Sequence, residues 1–276
     1  MSEDENEEVE EVEEVEIPEP VVEAKFTYAI VRMPSPTLAD GLSSGLFDRP
    51  EYSLFLQQHL SYTAVLRSLG VKIIKLPSLP EFPDAQFVED VAVVTPEVAI
   101  ITRPGAEERR GETETIRETL EKFRPLAAIE EPGTLDGGDV LRINQTVFVG
   151  LSKRTNEEGA AQLAAILEPL GYTVITVPIE ESLHLKSDVN YIGRRTLLLT
   201  EKWAGHKLFK DFEQIIVPAD EAYAANTLLV RNRLLIPEGF PETVNLLREA
   251  GFEVLEIVFT EPQKVDGGMT CLSIRF

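Results

Sequence analysis

The sequence predicts an α/β fold, specifically a five-bladed α/β propeller of strand-strand-helix-strand units whose ring is closed by the C-terminal strand. Three observations carry this prediction. The strand-strand-helix-strand plan recurs along the chain. Asp90, Asp139 and Asp188 fall 49 residues apart, each near the start of its unit. The first unit lacks its opening strand, while the chain ends with one strand to spare. Periods of roughly 40–50 residues belong to propellers and solenoids. A ring of five units, the last strand completing the first, uses every element. The alternative is a layered α/β domain in which the spacing is coincidental.

The first unit opens with the apolar strand 26–33, followed by a loop over 34–50 rich in Pro, Ser, Gly and Asp. Helical spacing runs over 52–69 and stops at Gly70; 71–77 returns as a strand. In the second unit, strands 88–94 and 98–102 flank Thr95-Pro96-Glu97, with a helix over 112–123 and a strand over 126–129. In the third, strands 140–143 and 147–151 flank Asn144-Gln145-Thr146. A helix from Glu157 carries apolar Ala161, Ala164, Ile166 and Leu167, and 172–178 is its strand. The fourth unit pairs 189–192 with 196–199, has a short, poor helix near 203–212, and ends in strand 215–218. The fifth has strands 227–230 and 234–237, a helix over 241–250 and a strand over 252–259. Residues 270–276 are the spare strand, and ring closure would carry Cys271 to the central mouth.

Charge divides the chain in two. Residues 1–24 hold 12 of the 48 acidic groups and no Lys or Arg, leaving 36 acidic against 26 basic residues in the remainder. Such a block repels itself and buries little, which predicts a disordered acidic tail over 1–24 ahead of one domain over 25–276. Val9, Val12 and Val15 would form a weak apolar stripe if a partner ordered the tail. An acidic body has no basic footprint for nucleic acid, so none is expected as a partner. No apolar run is long enough to span a bilayer, the N-terminus lacks a secretory pattern, and one cysteine forms no internal disulfide. A cytoplasmic protein is expected.

The one cysteine, Cys271, follows a Gly-Gly pair in the run from Val265 to Ser273. Taken alone, a free cysteine is most often a small buried hydrophobe. As a thiolate it is also the best nucleophile available near neutral pH. His184, between two leucines, is by default a satisfied core histidine and otherwise the partner base. With three histidines (His59, His184, His206) and one cysteine, no metal is expected. No P-loop, GxGxxG or HExxH is present, so no cofactor is expected either. Glu89 and Asp90 stand where a strand enters the core; Arg109 and Arg154 are by default surface arginines, which, if they point at the mouth, could clamp a carboxylate bidentately. Two carboxylates for a cation, two arginines for a carboxylate and a Cys/His pair between them outline a site for a guanidino amino acid.

The segments FVEDVAVV, ITRPGAEERRGETE, TLDGGDVL, GLSKRTNEEGA, LHLKS and KVDGGMTCLS run in this order. From about residue 26 to the terminus, the chain resembles the dimethylarginine dimethylaminohydrolases of the amidinotransferase-like pentein superfamily. The resemblance implies a five-bladed propeller. It also implies hydrolysis of Nω,Nω-dimethyl-L-arginine and Nω-monomethyl-L-arginine to L-citrulline through a covalent cysteine thiouronium. It makes Cys271 the nucleophile, His184 the general acid/base, and Asp136, where some bacterial relatives carry Glu, the group that orients His184. Glu89, Asp90 and Asp266 would contact the guanidinium, with Phe87 beside them. Arg109 and Arg154 would bind the substrate carboxylate. Asp84 and the backbone carbonyls of Leu42 and Val265 would receive the α-amino group. A homodimer is compatible with the resemblance, but no sequence feature defines an interface. The alternatives are arginine deiminase chemistry on the same residues and a non-catalytic propeller that binds a partner.

Overall fold

The computed structural model describes residues 26–276, so the tail expected over 1–24, with its valine stripe, lies outside the described residues. The first blade holds β1 (Tyr28–Arg32), α1 (Tyr52–Ser68) and β2 (Lys72–Leu76). The second holds β3 (Ala92–Val94), β4 (Ala99–Ile101), α2 (Glu114–Leu120) and β5 (Leu126–Ala128). The third holds β6 (Val140–Ile143), β7 (Thr146–Leu151), α3 (Glu157–Leu167) and β8 (Thr173–Pro178). The fourth has β9 (Val189–Tyr191), β10 (Thr196–Thr200) and β11 (Glu213–Val217). The fifth has β12 (Leu228–Val230), β13 (Arg233–Pro237), α4 (Pro241–Glu249) and β14 (Glu253–Ile257), followed by the single turn α5 (Thr260–Gln263).

Blades two to five each form a three-stranded sheet in chain order. The first two strands are antiparallel, and the third returns parallel to the second across the blade's helical segment. The first sheet has the order β15-β1-β2, where β15 (Ile274–Arg275) runs antiparallel to β1 with Ile274 opposite Ile30. The last strand therefore completes the first blade, as the spare-strand argument requires, and the chain is a five-bladed α/β propeller.

Middle strands lie between neighbouring blades and are covered on both faces. Ala29, Ile30 and Val31 of β1 and Leu197, Leu198 and Leu199 of β10 are wholly buried. This explains continuous apolar runs where a half-exposed strand would alternate. Each buried leucine contributes roughly 1.5–3 kcal/mol relative to exposure. The third strands face solvent on one side and carry exposed charges, as in Lys72 and Lys75 of β2. No helix among the described residues is long and apolar enough to cross a membrane.

Several local expectations need correction. Glu89 and Asp90 do not lie on a strand over 88–94: Val88–Val91 is a 3₁₀ turn and the strand begins at Ala92. The helix expected over 112–123 is the shorter α2, Glu114–Leu120, entered through a 3₁₀ segment, Glu107–Thr113. No single helix spans 203–212. Two 3₁₀ turns, Glu201–Trp203 and Lys207–Phe209, fold the rings of Trp203 and Phe209 together, with centroids 5.9 Å apart. Tertiary aromatic packing overrides a weak helical propensity there. The buried stripe of α3 is Ala160, Leu163 and Leu167, one residue out of phase with the exposed Ala161. Of residues 270–276 only β15 is strand. Cys271 lies in a turn closed by its own N–H donating to the Gly268 carbonyl at 3.1 Å.

The 49-residue spacing has a structural meaning. The turns Val88–Val91, Gly137–Asp139 and Leu185–Ser187 each precede the opening strand of a blade and set Asp90, Asp139 and Asp188 at its entrance. The first two aspartates join the site described next. Asp188 is spent on Lys202 at 2.6 Å and the Trp203 indole at 3.4 Å.

Candidate active site

These blade-entrance turns and the turn bearing Cys271 enclose a cavity of about 60 Å³. Its wall includes Cys271, His184, Glu89, Asp266, Lys186 and Tyr223. A larger cavity of about 880 Å³ shares Glu89, Lys186 and Thr270 with it.

Cys271 is half-buried, and its Sγ accepts the Gly268 N–H at 3.3 Å. Its carbonyl accepts the Glu89 N–H at 3.1 Å, which ties the cysteine turn to the first carboxylate turn. Gly268 is required there, because a Cβ would come within 2.4 Å of the Asn226 side chain. Burial, then the charges of Glu89 and Asp90, push the Cys271 thiol up to about 12. It is therefore protonated at neutral pH.

His184 is buried, with Nε2 3.1 Å from Asp136 Oδ2 and Nδ1 3.9 Å from Asp90 Oδ1. Gly138 is needed beside it, since a Cβ would sit 2.5 Å from Nδ1. Burial alone would lower the imidazole, but the charge of Asp90, the hydrogen bond to Asp136 and the charge of Asp139 outweigh it and raise it to about 9. Asp136 is wholly buried, and its Oδ1 accepts the Gly105 N–H at 2.9 Å. With Nε2 given to Asp136, Nδ1 is the nitrogen left for a reaction partner.

The remaining residues singled out in the sequence fall into three groups. Glu89 lines the cavity but pairs with Lys186 at 2.7 Å and Arg275 at 2.6 Å, and it accepts the Thr270 hydroxyl at 2.5 Å. Burial opposes its charge, and the two cations outweigh burial and hold its carboxyl below the usual range. Asp266, at a left-handed φ of 56° that Asp tolerates better than most residues, accepts the Ser44 N–H at 2.5 Å and hydroxyl at 2.7 Å. Asp84 accepts the Leu42 N–H at 2.9 Å, and burial raises its carboxyl.

Arg109, Asp90, Phe87 and Val265 lie in the wall behind the cavity rather than on it. Nη1 of Arg109 donates to Asp90 at 2.5 Å, Nη2 to Glu112 at 2.8 Å and the Phe87 carbonyl at 2.9 Å, and Nε to Glu112 at 3.0 Å. Among the described residues, the second Nη1–H has no acceptor. Burial opposes the charge of Asp90, but His184 and Arg109 outweigh it and keep the carboxyl low. Phe87 packs its ring on Phe55, with centroids 6.3 Å apart. Arg154 is half-buried, and among the described residues its guanidinium has no ion pair. Donor atoms of Asp90, Asp136 and His184 come within 4.8 Å of one another. Asp90 is committed to Arg109, and Asp136 to His184 and Gly105, so the group is a hydrogen-bonded network rather than a cage for a metal.

Lys186, Arg275, Thr270, Glu112 and Asp139 were not singled out from the sequence as parts of this site. Of these only Asp139 carried a signal, through the 49-residue spacing.

The fold and the cavity define a class first: a five-bladed α/β propeller with a cysteine and a histidine at one mouth. The family described as "N,N dimethylarginine dimethylhydrolase, eukaryotic" matches residues 51–205. The N(G),N(G)-dimethylarginine dimethylaminohydrolase of Pseudomonas aeruginosa is 42% identical over 91% of this chain and 100% of its own length. That of Streptomyces coelicolor is 39% identical over 90% of this chain and 96% of its own. A solved structure of the Pseudomonas aeruginosa enzyme, a Cys-to-Ser mutant complexed with citrulline, superposes with a TM-score of 0.90 at 41% identity, covering 92% of this chain and all of that one. The chain belongs to the dimethylarginine dimethylaminohydrolase family, and it is a hydrolase.

Proposed function

We propose that this protein hydrolyses Nω,Nω-dimethyl-L-arginine and Nω-monomethyl-L-arginine to L-citrulline and dimethylamine or methylamine. The observation that carries the reading is one small cavity holding Cys271, His184 and the carboxylates of Glu89 and Asp266, in a chain of this family.

The resting site holds a thiol and an imidazolium in an acidic field, so the nucleophile waits for substrate. A guanidinium beside Glu89, Asp90 and Asp266 brings the positive charge that lowers the Cys271 thiol. As the substrate cation settles, the thiol releases its proton to solvent; the thiolate attacks the central guanidinium carbon, and a C–S bond forms. His184 gives its proton to the methylated nitrogen as the C–N bond breaks, because an amine leaves only when protonated. Methylamine or dimethylamine departs and a thiouronium cation remains. Neutral His184 then takes a proton from water, which attacks the same carbon. The C–S bond breaks, citrulline forms, and the last proton returns to sulfur. Asp136 holds His184 in the orientation that both proton transfers need. Arg154, with the free Nη1–H of Arg109, receives the substrate carboxylate. Asp84 and the Leu42 and Val265 carbonyls receive its ammonium, and Phe87 backs the guanidinium end.

Citrulline release from dimethyl-, monomethyl- and unmethylated arginine, with Cys271→Ser as control, tests the reading. Turnover of the methylated substrates that disappears in the variant is the expected result. Turnover of arginine alone would move the protein to deiminase chemistry. A cytoplasmic location and a homodimer complete the reading, and cell fractionation and sedimentation against protein concentration test them.

A further inference from the structure

Behind His184 lies a buried carboxylate that the reaction does not use. Asp139 is wholly inaccessible to solvent. Its Oδ1 accepts the N–H of Leu185, the residue after His184, at 2.9 Å. Its Oδ2 accepts the hydroxyls of Ser152 and Thr155, each at 2.7 Å. Thr155 Oγ1 in turn accepts the Asp136 N–H at 3.1 Å, and the Asp139 N–H donates to the Asp136 carbonyl at 3.0 Å. The circuit closes through Asp136 Oδ2 and His184 Nε2, 3.1 Å apart.

Every hydrogen in this circuit has a fixed direction. Ser152 Oγ accepts the N–H groups of Arg154 at 3.0 Å and Thr155 at 3.3 Å. Thr155 Oγ1 accepts that of Asp136, so both hydroxyl protons point at Asp139. Burial pushes the Asp139 carboxyl above its usual range, yet all three of its partners donate, so only the anion satisfies them. A buried charge met by three donors and, among the described residues, no ion pair is expensive to keep for stability alone.

We infer that Asp139 is a positioning residue for the acid/base pair: it clamps the backbone beside His184 and, through Thr155, the backbone of Asp136, and so fixes the two side chains relative to each other. It touches neither substrate nor the reacting atoms. Misplacing a proton donor by a fraction of an ångström costs rate while leaving substrate binding nearly intact.

The inference rests on His184 acting as the general acid/base, and the test separates the two. Asp139→Asn keeps the volume and one acceptor but turns a donor toward the two hydroxyls. Thr155→Val removes the bridge to Asp136 without altering the carboxylate, and Thr155→Ser restores it. Steady-state citrulline release is measured for each, with pH profiles of kcat, beside NMR titration of the His184 ring and iodoacetamide alkylation of Cys271. Asp139→Asn is expected to lower kcat about ten- to a hundredfold with KM within about twofold, as for other groups that orient a functional histidine. The His184 titration should move to lower pH, with Cys271 alkylation changed far less. Thr155→Val should fall in the same direction and Thr155→Ser recover. Wild-type kcat in both Asp139→Asn and Thr155→Val, or an unmoved His184 titration in either, overturns the inference. If Asp139→Asn does not fold, Thr155→Val decides alone. If the wild-type protein released no citrulline, the proposed reaction would fall, and the NMR titration would still decide the positioning role.

Discussion

The two halves of the cavity solve opposite problems with the same negative field. On the His184 side, side chains from two other blade entrances converge: Asp136 on Nε2, Asp90 3.9 Å from Nδ1, and Asp139 on the neighbouring backbone. On the Cys271 side the backbone does the holding: Gly268 N–H on the sulfur and Glu89 N–H on the carbonyl, with Asn226 on the Thr270 N–H at 2.9 Å. Burial and, after it, nearby carboxylates raise the thiol to about 12, while the carboxylates outweigh burial and raise the imidazole to about 9. For an acid that must deliver a proton, this is loading. For a nucleophile it is silencing, which the cationic substrate of the proposed reaction would lift. The pair is therefore not a preformed thiolate–imidazolium couple, and the difference lies in what the substrate must supply to each half.

The sharpest break between the halves is chemical. Cys271→Ser should remove citrulline release by about a thousandfold or more, because an alcohol in this field is a far poorer nucleophile. His184→Gln should cost about 10²–10⁴-fold in kcat while leaving Cys271 open to alkylation. Loss of alkylation in that variant would show that the halves are not separable.

Stability against pH tests the His184 half. A folded-state value raised from 6.5 to about 9 contributes stability that is fully present below pH 6.5 and is lost as pH rises through 9. Two to three units correspond to about 3 kcal/mol. Urea midpoints of the wild-type and His184→Gln proteins should differ most near pH 6 and converge by about pH 10. A constant gap across that range would contradict the assignment.

The Cys271 half is tested through Glu89. Glu89→Gln removes one of the charges that raise the thiol, while Lys186 and Arg275 remain, so alkylation at pH 8 should quicken several-fold as turnover falls. An unchanged alkylation rate would mean that burial alone silences the cysteine. The smallest effect is expected at the loop over 34–50. Ser44→Ala removes one hydrogen bond to Asp266, worth about 1 kcal/mol, and should raise KM a few-fold with kcat nearly unchanged.

Particular residues show how far the sequence could be read. The unit plan, the ring closure and the 49-residue spacing were legible because apolar runs and turn residues are local signals, and all three reappear in the five sheets and the β15-β1 pairing. Cys271 and His184 were legible because a chain with one cysteine and three histidines offers few candidates. Arg109 was read as a substrate clamp by residue type, and its neighbours Asp90 and Glu112 take most of its donors. Glu89 was read as one of two carboxylates for a substrate cation, whereas Lys186 from another blade and Arg275 from the closing strand already pair with it.

By itself, then, the sequence determined the repeating architecture and singled out Cys271 and His184 as the candidate reactive pair, since periodicity, composition and scarce reactive residues are written along the chain. Tertiary structure decided which charges are spent on each other, which way each proton points, and where the thiol and imidazole titrate. Those properties arise from burial and from pairs far apart in sequence, such as Glu89 with Arg275, which meet only once the ring has closed.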